Sequence, residues 1–292
     1  IPFTQEGYGF IYNAAILNKA GINPDEITSY AKLEEAVKKL DAKKAELGLE
    51  AVFAVAGKET WVTGLHFTNA ALSPEFENVF NAFNAKKIDF KYSEGMKKLF
   101  DLQINYAKKP VNSVDYSTQV EKLFSLGKVA FMQQGNWTLG AIKGIDEELA
   151  ANIGFLPMPI VGAKEDSIPV GIPMYWTVNS TKDEKTQAAA KAFLNWMYTS
   201  EKGKDAIINK FGFIPPFKGF DSPDLQPKDA LAKDIMKYAS AGKTIQWVFM
   251  GYPSGWGMEK IGVDLQKYVD GKLTWDQLIE NGKKSWEEAR KQ

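Results

Sequence analysis

The chain contains no cysteine and a single histidine in 292 residues. Without thiols there is no disulfide framework, no cysteine nucleophile and no thiolate metal site. One histidine cannot build a multi-histidine metal centre, and no base stands near a nucleophile elbow, so neither a metal site nor a serine triad is expected. His66, in Gly64-Leu65-His66-Phe67-Thr68-Asn69, has apolar neighbours and reads as a structural residue. Net charge is absent as well, with 36 basic and 36 acidic side chains. The lysine pairs (Lys38-Lys39, Lys43-Lys44, Lys86-Lys87, Lys97-Lys98, Lys108-Lys109, Lys283-Lys284) are interleaved with acids on helical stretches, which marks solvated faces and not a nucleic-acid stripe. No apolar run approaches the roughly 18 residues of a membrane-spanning helix. There is no internal repeat, no low-complexity tract and no phosphate loop: the glycine-rich Gly251-Tyr252-Pro253-Ser254-Gly255-Trp256-Gly257 lacks the Lys-Ser/Thr of a P-loop.

What is present is apolar and aromatic residue, 45% and 13% of the chain, enough for two domains with real cores. Leu33, Ala36, Val37 and Leu40 recur at helical spacing, as do Met96, Leu99, Phe100 and Ile104. The run Ala51 to Ala56 is short, apolar and followed by glycine, the mark of a buried strand. Thr181-x-x-Glu184 and Thr274-x-x-Gln277 have the form of capping boxes, each opening a helix. Trp196, Met197 and Tyr198 on the first of these are expected in a core. A strand over Tyr175 to Asn179 is followed by helices up to about Tyr238. The pattern is mixed α/β.

The most informative stretch is Gly127 to Trp137, Gly-Lys-Val-Ala-Phe-Met-Gln-Gln-Gly-Asn-Trp, an apolar strand that ends in glycine with a tryptophan directly after it. Strand ends meet a sheet edge, and glycine admits close approach, so Trp137 suits a cleft. The alternative is a core anchor, since tryptophan is highly buried on average.

Ser117-Thr118-Gln119-Val120-Glu121-Lys122-Leu123-Phe124, leading through Gly127-Lys128 into that strand, resembles the solute-binding proteins of carbohydrate ABC transporters, of the maltose and multiple-sugar-binding type. So do Gly7-Tyr8-Gly9-Phe10-Ile11-Tyr12-Asn13 with Ala20-Gly21-Ile22, the helix Ala188 to Leu194 with Phe211-Gly212-Phe213-Ile214-Pro215, and the closing Leu265 to Leu278. The four pieces occur in order and cover nearly the whole chain. The resemblance implies a two-lobe, periplasmic-binding-protein-like α/β fold (type II), closing about its crossover strands on a ligand. It also implies that the chain begins at the first crossover, lacks on the order of 100 residues of the first lobe, and is therefore a fragment or has that portion as a separate companion chain. The division expected is 1–6 as crossover, 7–170 as the second lobe, 171–240 as the returning piece of the first lobe, and 241–292 as the close of the second.

A pyranose shows apolar C–H faces and a rim of hydroxyls, so its site needs flat aromatic walls and paired polar groups. Trp61, Trp137 and Trp256 offer walls, with Tyr252 and Tyr175 as further candidates; Glu6, Glu59, Gln134 and Asn136 offer polar groups. The resemblance assigns stacking to Trp137 and Trp61, a ligand acceptor to Glu6, and a ligand-contacting aromatic to the Gly251–Gly257 loop. It implies a sugar-capturing, non-enzymatic component with no cofactor, working outside the cytoplasm in a periplasm or as a surface lipoprotein, with a membrane permease as partner and no nucleic acid. Two other classes stand beside this one. A glycoside hydrolase would need a carboxylate pair, and Glu6 with Glu59 is the pair in a strand-end setting. A structural interaction module would bury its tryptophans.

Overall fold

A computed structural model of the protein describes residues 1–220 and 222–291. Its centre is one mixed sheet. Strand β1 (Glu6–Asn13) lies in the middle, antiparallel to β3 (Phe131–Gly135) on one side. On the other side it pairs with two strands in succession: Phe10 to Asn13 with β4 (Ile153–Leu156), and Glu6 and Gly7 with β5 (Ile168–Gly171). The short β2 (Phe53–Ala54) runs parallel to β3 at one edge, and β6 (Thr244–Ile245) parallel to β5 at the other. Of the expected strand Ala51 to Ala56, all six residues are buried but only two pair.

Strand alternation sorts side chains into two cores. Tyr8 and Phe10, Phe53, Phe131 and Leu156 enter one, with rings of Phe10, Phe53 and Phe131 in contact at 5.3–5.4 Å. Their neighbours Ile11, Ala54, Met132 and Phe155 enter the other. Both faces of the sheet are therefore covered, as a sheet flanked by helices requires. The first core takes the buried stripes of helices Tyr30–Ala42 (Leu33, Ala36, Val37, Leu40) and Ser93–Asn105 (Met96, Leu99, Phe100), at the predicted spacing. Lys38 and Lys97 pair with acids one turn away on their helices, and Lys44 pairs with Asp41 from the turn after the first.

Residues 171–240 do not behave as one piece. Helix Ala230–Ser240 buries Leu231, Ala232 and Ile235 in the second core beside Ile11 and Ile168, so it packs with the sheet just described. Between about 178 and 225, Leu194, Met197, Ile207, Ile208 and Phe220 form a separate small core. This segment meets the start of the chain through backbone bridges Gln5–Ile214 and Pro2–Tyr175 and leaves Phe193, Trp196 and Phe211 exposed. Three local expectations change here. Tyr175 to Asn179 is not a strand; Tyr175 makes one bridge, to Pro2. Helix Glu184–Thr199 is capped by Asp183, which accepts from Thr186 N–H at 3.0 Å, while Thr181 is held by Asn179. Trp196 is not in a core. The second capping box forms as expected, with Thr274 and Gln277 each bonding the other's backbone N–H.

Candidate ligand-binding site

The site is built on the first residues of β1. Glu6 and Tyr8 share one face of the strand by alternation. Across the antiparallel ladder Tyr8 stands opposite Gly135 at the end of β3, and Glu6 opposite Gly171 at the end of β5. Residues directly opposite project to the same face. In both glycines that projection is filled by an indole: a Cβ at Gly135 would lie 2.1 Å from the Trp137 ring, and one at Gly171 2.5 Å from the Trp247 ring. The two tryptophans thus rest on the sheet at either side of Tyr8, whose ring centroid is 6.4 Å from Trp137 and 5.6 Å from Trp247.

His66 joins them. Its imidazole stacks on Tyr8 at 4.2 Å and 13°, and lies 5.2 Å from Trp61, 5.4 Å from Trp137 and 5.3 Å from Phe249. Tyr8 donates to the His66 carbonyl at 3.2 Å. Burial among rings pushes the imidazole down to about 3, so it stays neutral in any ordinary medium. His66 is structural in the sense expected, yet it belongs to the site.

Polar side chains fix the rings. Trp137 Nε1 donates to Gln134 Oε1 (3.1 Å), Gln134 Nε2 to Gln119 Oε1 (2.8 Å), and Gln119 Nε2 to the Ala54 carbonyl (2.8 Å). Glu59 accepts from Trp61 Nε1 (3.1 Å) and from the Tyr116 backbone N–H (3.3 Å). Asn136 Oδ1 accepts from Gly7 N–H at 3.1 Å, tying the end of β3 to β1. Beside this tray opens a cavity of about 660 Å³, lined among others by Glu6, Asn136, Trp137, Lys143, Phe213 and Asp229. Desolvation pushes the half-buried Glu6 carboxyl up to about 7 and raises that of Asp229.

Of the residues expected from sequence, Glu6, Asn136 and Trp137 line one cavity, and Trp61 and Glu59 adjoin Trp137 through the rings. Gln134 is 1% exposed and fully engaged, so it orients Trp137 and has no free edge for a ligand. Tyr252 and Trp256 are corrected outright. Trp256 is 1% exposed, donates to the Gly282 carbonyl at 3.0 Å, and packs edge-on to Trp286 at 4.9 Å and Tyr252 at 5.0 Å, deep in the first core. Tyr252 pairs with Thr68 there. Tyr175 is 58% exposed and apart from the tray. Tyr8, Tyr116, Trp247 and Phe249 were not anticipated as members. A signal existed for two of them: Gly7-Tyr8-Gly9 flanks an aromatic with glycines, and Trp247 follows the strand Thr244–Ile245 as Trp137 follows β3. Glu59 accepts from Trp61 and the Tyr116 backbone and is not among the residues lining the Glu6 cavity, which holds Asp229 instead. Among the described residues no group of three His, Cys, Asp or Glu side chains could hold a metal ion, and no helix is long and apolar enough to cross a membrane.

The profile of bacterial extracellular solute-binding proteins matches residues 1–204. No curated protein matches the chain by sequence. Among solved structures, a chitin oligosaccharide binding protein is similar at 20% identity with a TM-score of 0.78, covering 100% of this chain and 71% of that one. Apo RafE from Streptococcus pneumoniae is 17% identical with a TM-score of 0.75, over 99% of this chain and 72% of its own. A manno-oligosaccharide-specific solute-binding protein of Bifidobacterium animalis subsp. lactis, in complex with mannotriose, is 21% identical with a TM-score of 0.69, over 100% and 70%. At these identities the likeness establishes the two-lobe solute-binding fold.

Proposed function

Since the chain belongs to the bacterial extracellular solute-binding proteins, a family of non-enzymatic receptors working outside the cytoplasm, we propose that it is the capture component of a carbohydrate ABC importer and takes an oligosaccharide in the cleft at the start of β1. One observation carries the reading: the Trp137 indole rests on Gly135 at the end of β3 and lines a cavity that also holds the Glu6 carboxyl and the Asn136 amide. Flat apolar walls with a few polar groups at their margin suit the C–H faces and hydroxyl rim of a pyranose. Trp137 and Trp61 stack, Glu6 and Asn136 bond hydroxyls, and Glu59 and Gln134 hold the rings. The similar proteins named above bind chitin oligosaccharides and mannotriose, which supports the same class of ligand here.

The second lobe in this reading comprises residues 7–170 and the chain from the helix at Ala230 to the end, and 171–229 is the returning piece of the first lobe. About three tenths of each similar structure lies outside the match. In this reading the part of the first lobe that the match leaves out covers the exposed Phe193, Trp196 and Phe211 and completes the cleft. The permease of the importer and a lipid anchor on the N-terminal portion complete the working assembly. In this reading the ligand leaves unchanged: Glu59 is bound to Trp61, and Asp229, the acid that shares the Glu6 cavity, caps the helix Ala230–Ser240 by accepting from Ala232 N–H.

Thermal shift across a glycan library, followed by calorimetric titration of the hits on the full-length protein, tests the reading. Stabilisation by oligosaccharides and no turnover of fluorogenic glycosides is expected. No response to any glycan, or steady hydrolysis lost in Glu6→Gln, overturns it.

A further inference from the structure

Trp137 and Trp247 are counterparts. Each rests on a glycine at the end of a strand flanking β1, each touches Tyr8 and His66, and each lies on the face that carries Glu6. They differ in one respect. The Trp137 indole N–H is held by Gln134 at 3.1 Å. The Trp247 indole is 7% exposed, and its N–H is buried with no hydrogen-bond partner among the described residues.

A buried donor without a partner bears its desolvation unreturned, and such groups in native proteins call for an explanation. Its ring neighbours are Tyr8, His66 and Phe249, with the backbone of Gly171 beneath it, and none of them accepts from the indole nitrogen. Its position fits a use in binding. The two glycines stand on strands separated by β1 and two residues apart along it, about 12 Å from one another. A ligand that reaches both indoles must therefore be longer than one hexose.

We propose that Trp247 is a second carbohydrate platform of the cleft, whose indole N–H is held in reserve as a donor to a hydroxyl of an oligosaccharide spanning the tray from Trp137. The inference rests on the carbohydrate reading and extends it to a residue and a minimum ligand length. Binding turns the indole by the small angle that brings its N–H to the sugar, while the ring keeps Gly171 beneath it. Trp137 cannot play this part, because its N–H is already engaged.

The test pairs Trp247→Phe with Trp137→Phe in the full-length protein, with chitotriose and mannotriose as probes. Trp247→Phe is expected to lower the ligand-free melting temperature through the volume it removes from a buried site, and to weaken the trisaccharide that binds by at least about threefold. Trp137→Phe is expected to lower the melting temperature, because it strips Gln134 of a partner. In ¹⁵N-indole spectra the Trp247 signal, identified by its loss in Trp247→Phe, shifts downfield on adding sugar. Unchanged affinity with an indole signal indifferent to sugar overturns the proposal. If the wild type binds and Trp137→Ala weakens it while Trp247→Phe does nothing, Trp247 alone is misassigned. If neither probe nor any other glycan binds the wild type, the carbohydrate reading itself has failed.

Discussion

Two groups of aromatic rings, built from the same residue types, stand in contrast. Around Trp256, the rings of Tyr252, Trp286, Phe76 and Phe90 interlock on helices and a turn, with both indole N–H groups bonded to carbonyls. Around Tyr8, the rings of Trp137 and Trp247 rest on strand-end glycines, His66 and Trp61 pack against Trp137 from a helical turn, and Trp137 lines a cavity. The first group is closed on all sides and the second is open on one. What distinguishes them is not the tryptophan but what is under it: side chains pack a ring from every direction, whereas a glycine backbone supports one face and leaves the other for something else.

Substitutions can break or sharpen that contrast. The largest effect is expected from Trp256→Ala, which empties a filled core and should cost about 3–5 kcal/mol in denaturant melts while leaving sugar affinity per folded molecule as it was. Trp137→Ala should do the reverse, weakening sugar at least about tenfold, equivalent to 1.4 kcal/mol, with a loss of stability no greater than about 2 kcal/mol because water reaches Gln134. A large stability loss with unchanged affinity would make the tray a second core. Gln134→Leu frees the Trp137 indole to rotate and orphans Gln119, so calorimetry should show a weaker effect of about 3- to 10-fold in affinity.

The smallest effect concerns pH. The Glu6 carboxyl is raised in the fold to about 7 from an ordinary 4.5. Between these values the folded chain holds a proton that the unfolded chain has released, so this group favours folding below about pH 4.5 and its contribution is lost as pH rises to 7. Melts of wild type and Glu6→Gln should diverge across that window by on the order of 1 kcal/mol, allowing for the wetting of a half-buried carboxyl. A parallel pH dependence of the two would place Glu6 in bulk solvent.

Much of this was legible from local pattern. The buried stripes of two helices, the capping box at Thr274 and the strand ending in Gly135-Asn136-Trp137 depend on neighbours in sequence, and they appear as read. The Gly251–Gly257 loop misled because glycine and proline announce a turn but not which way its aromatics point; Tyr252 and Trp256 turn inward to meet Trp286, 30 residues or more away in sequence. Gln134 was assigned to the ligand because an amide at a strand end has the right chemistry, and only the fold shows Gln119 and Trp137 consuming it. Trp247 was missed because its significance depends on Gly171, which is adjacent only through β1. Helix Ala230–Ser240 was grouped with the preceding helices because its apolar stripe does not say which sheet it covers.

The ladder between β1 and its neighbours is uneven. Five residue pairs join β1 to β3 and four join it to β4, but only two, at Glu6 and Gly7, join it to β5. Trp247 rides on the part of the sheet with the fewest rungs, Trp137 on the part with the most. A sugar chain lying across both would act as a splint, bridging the sparse seam from outside. Amide protons of Ile168, Val170 and Gly171 should then exchange with solvent sooner than those of Phe131–Gly135, and slow selectively when the cleft is filled.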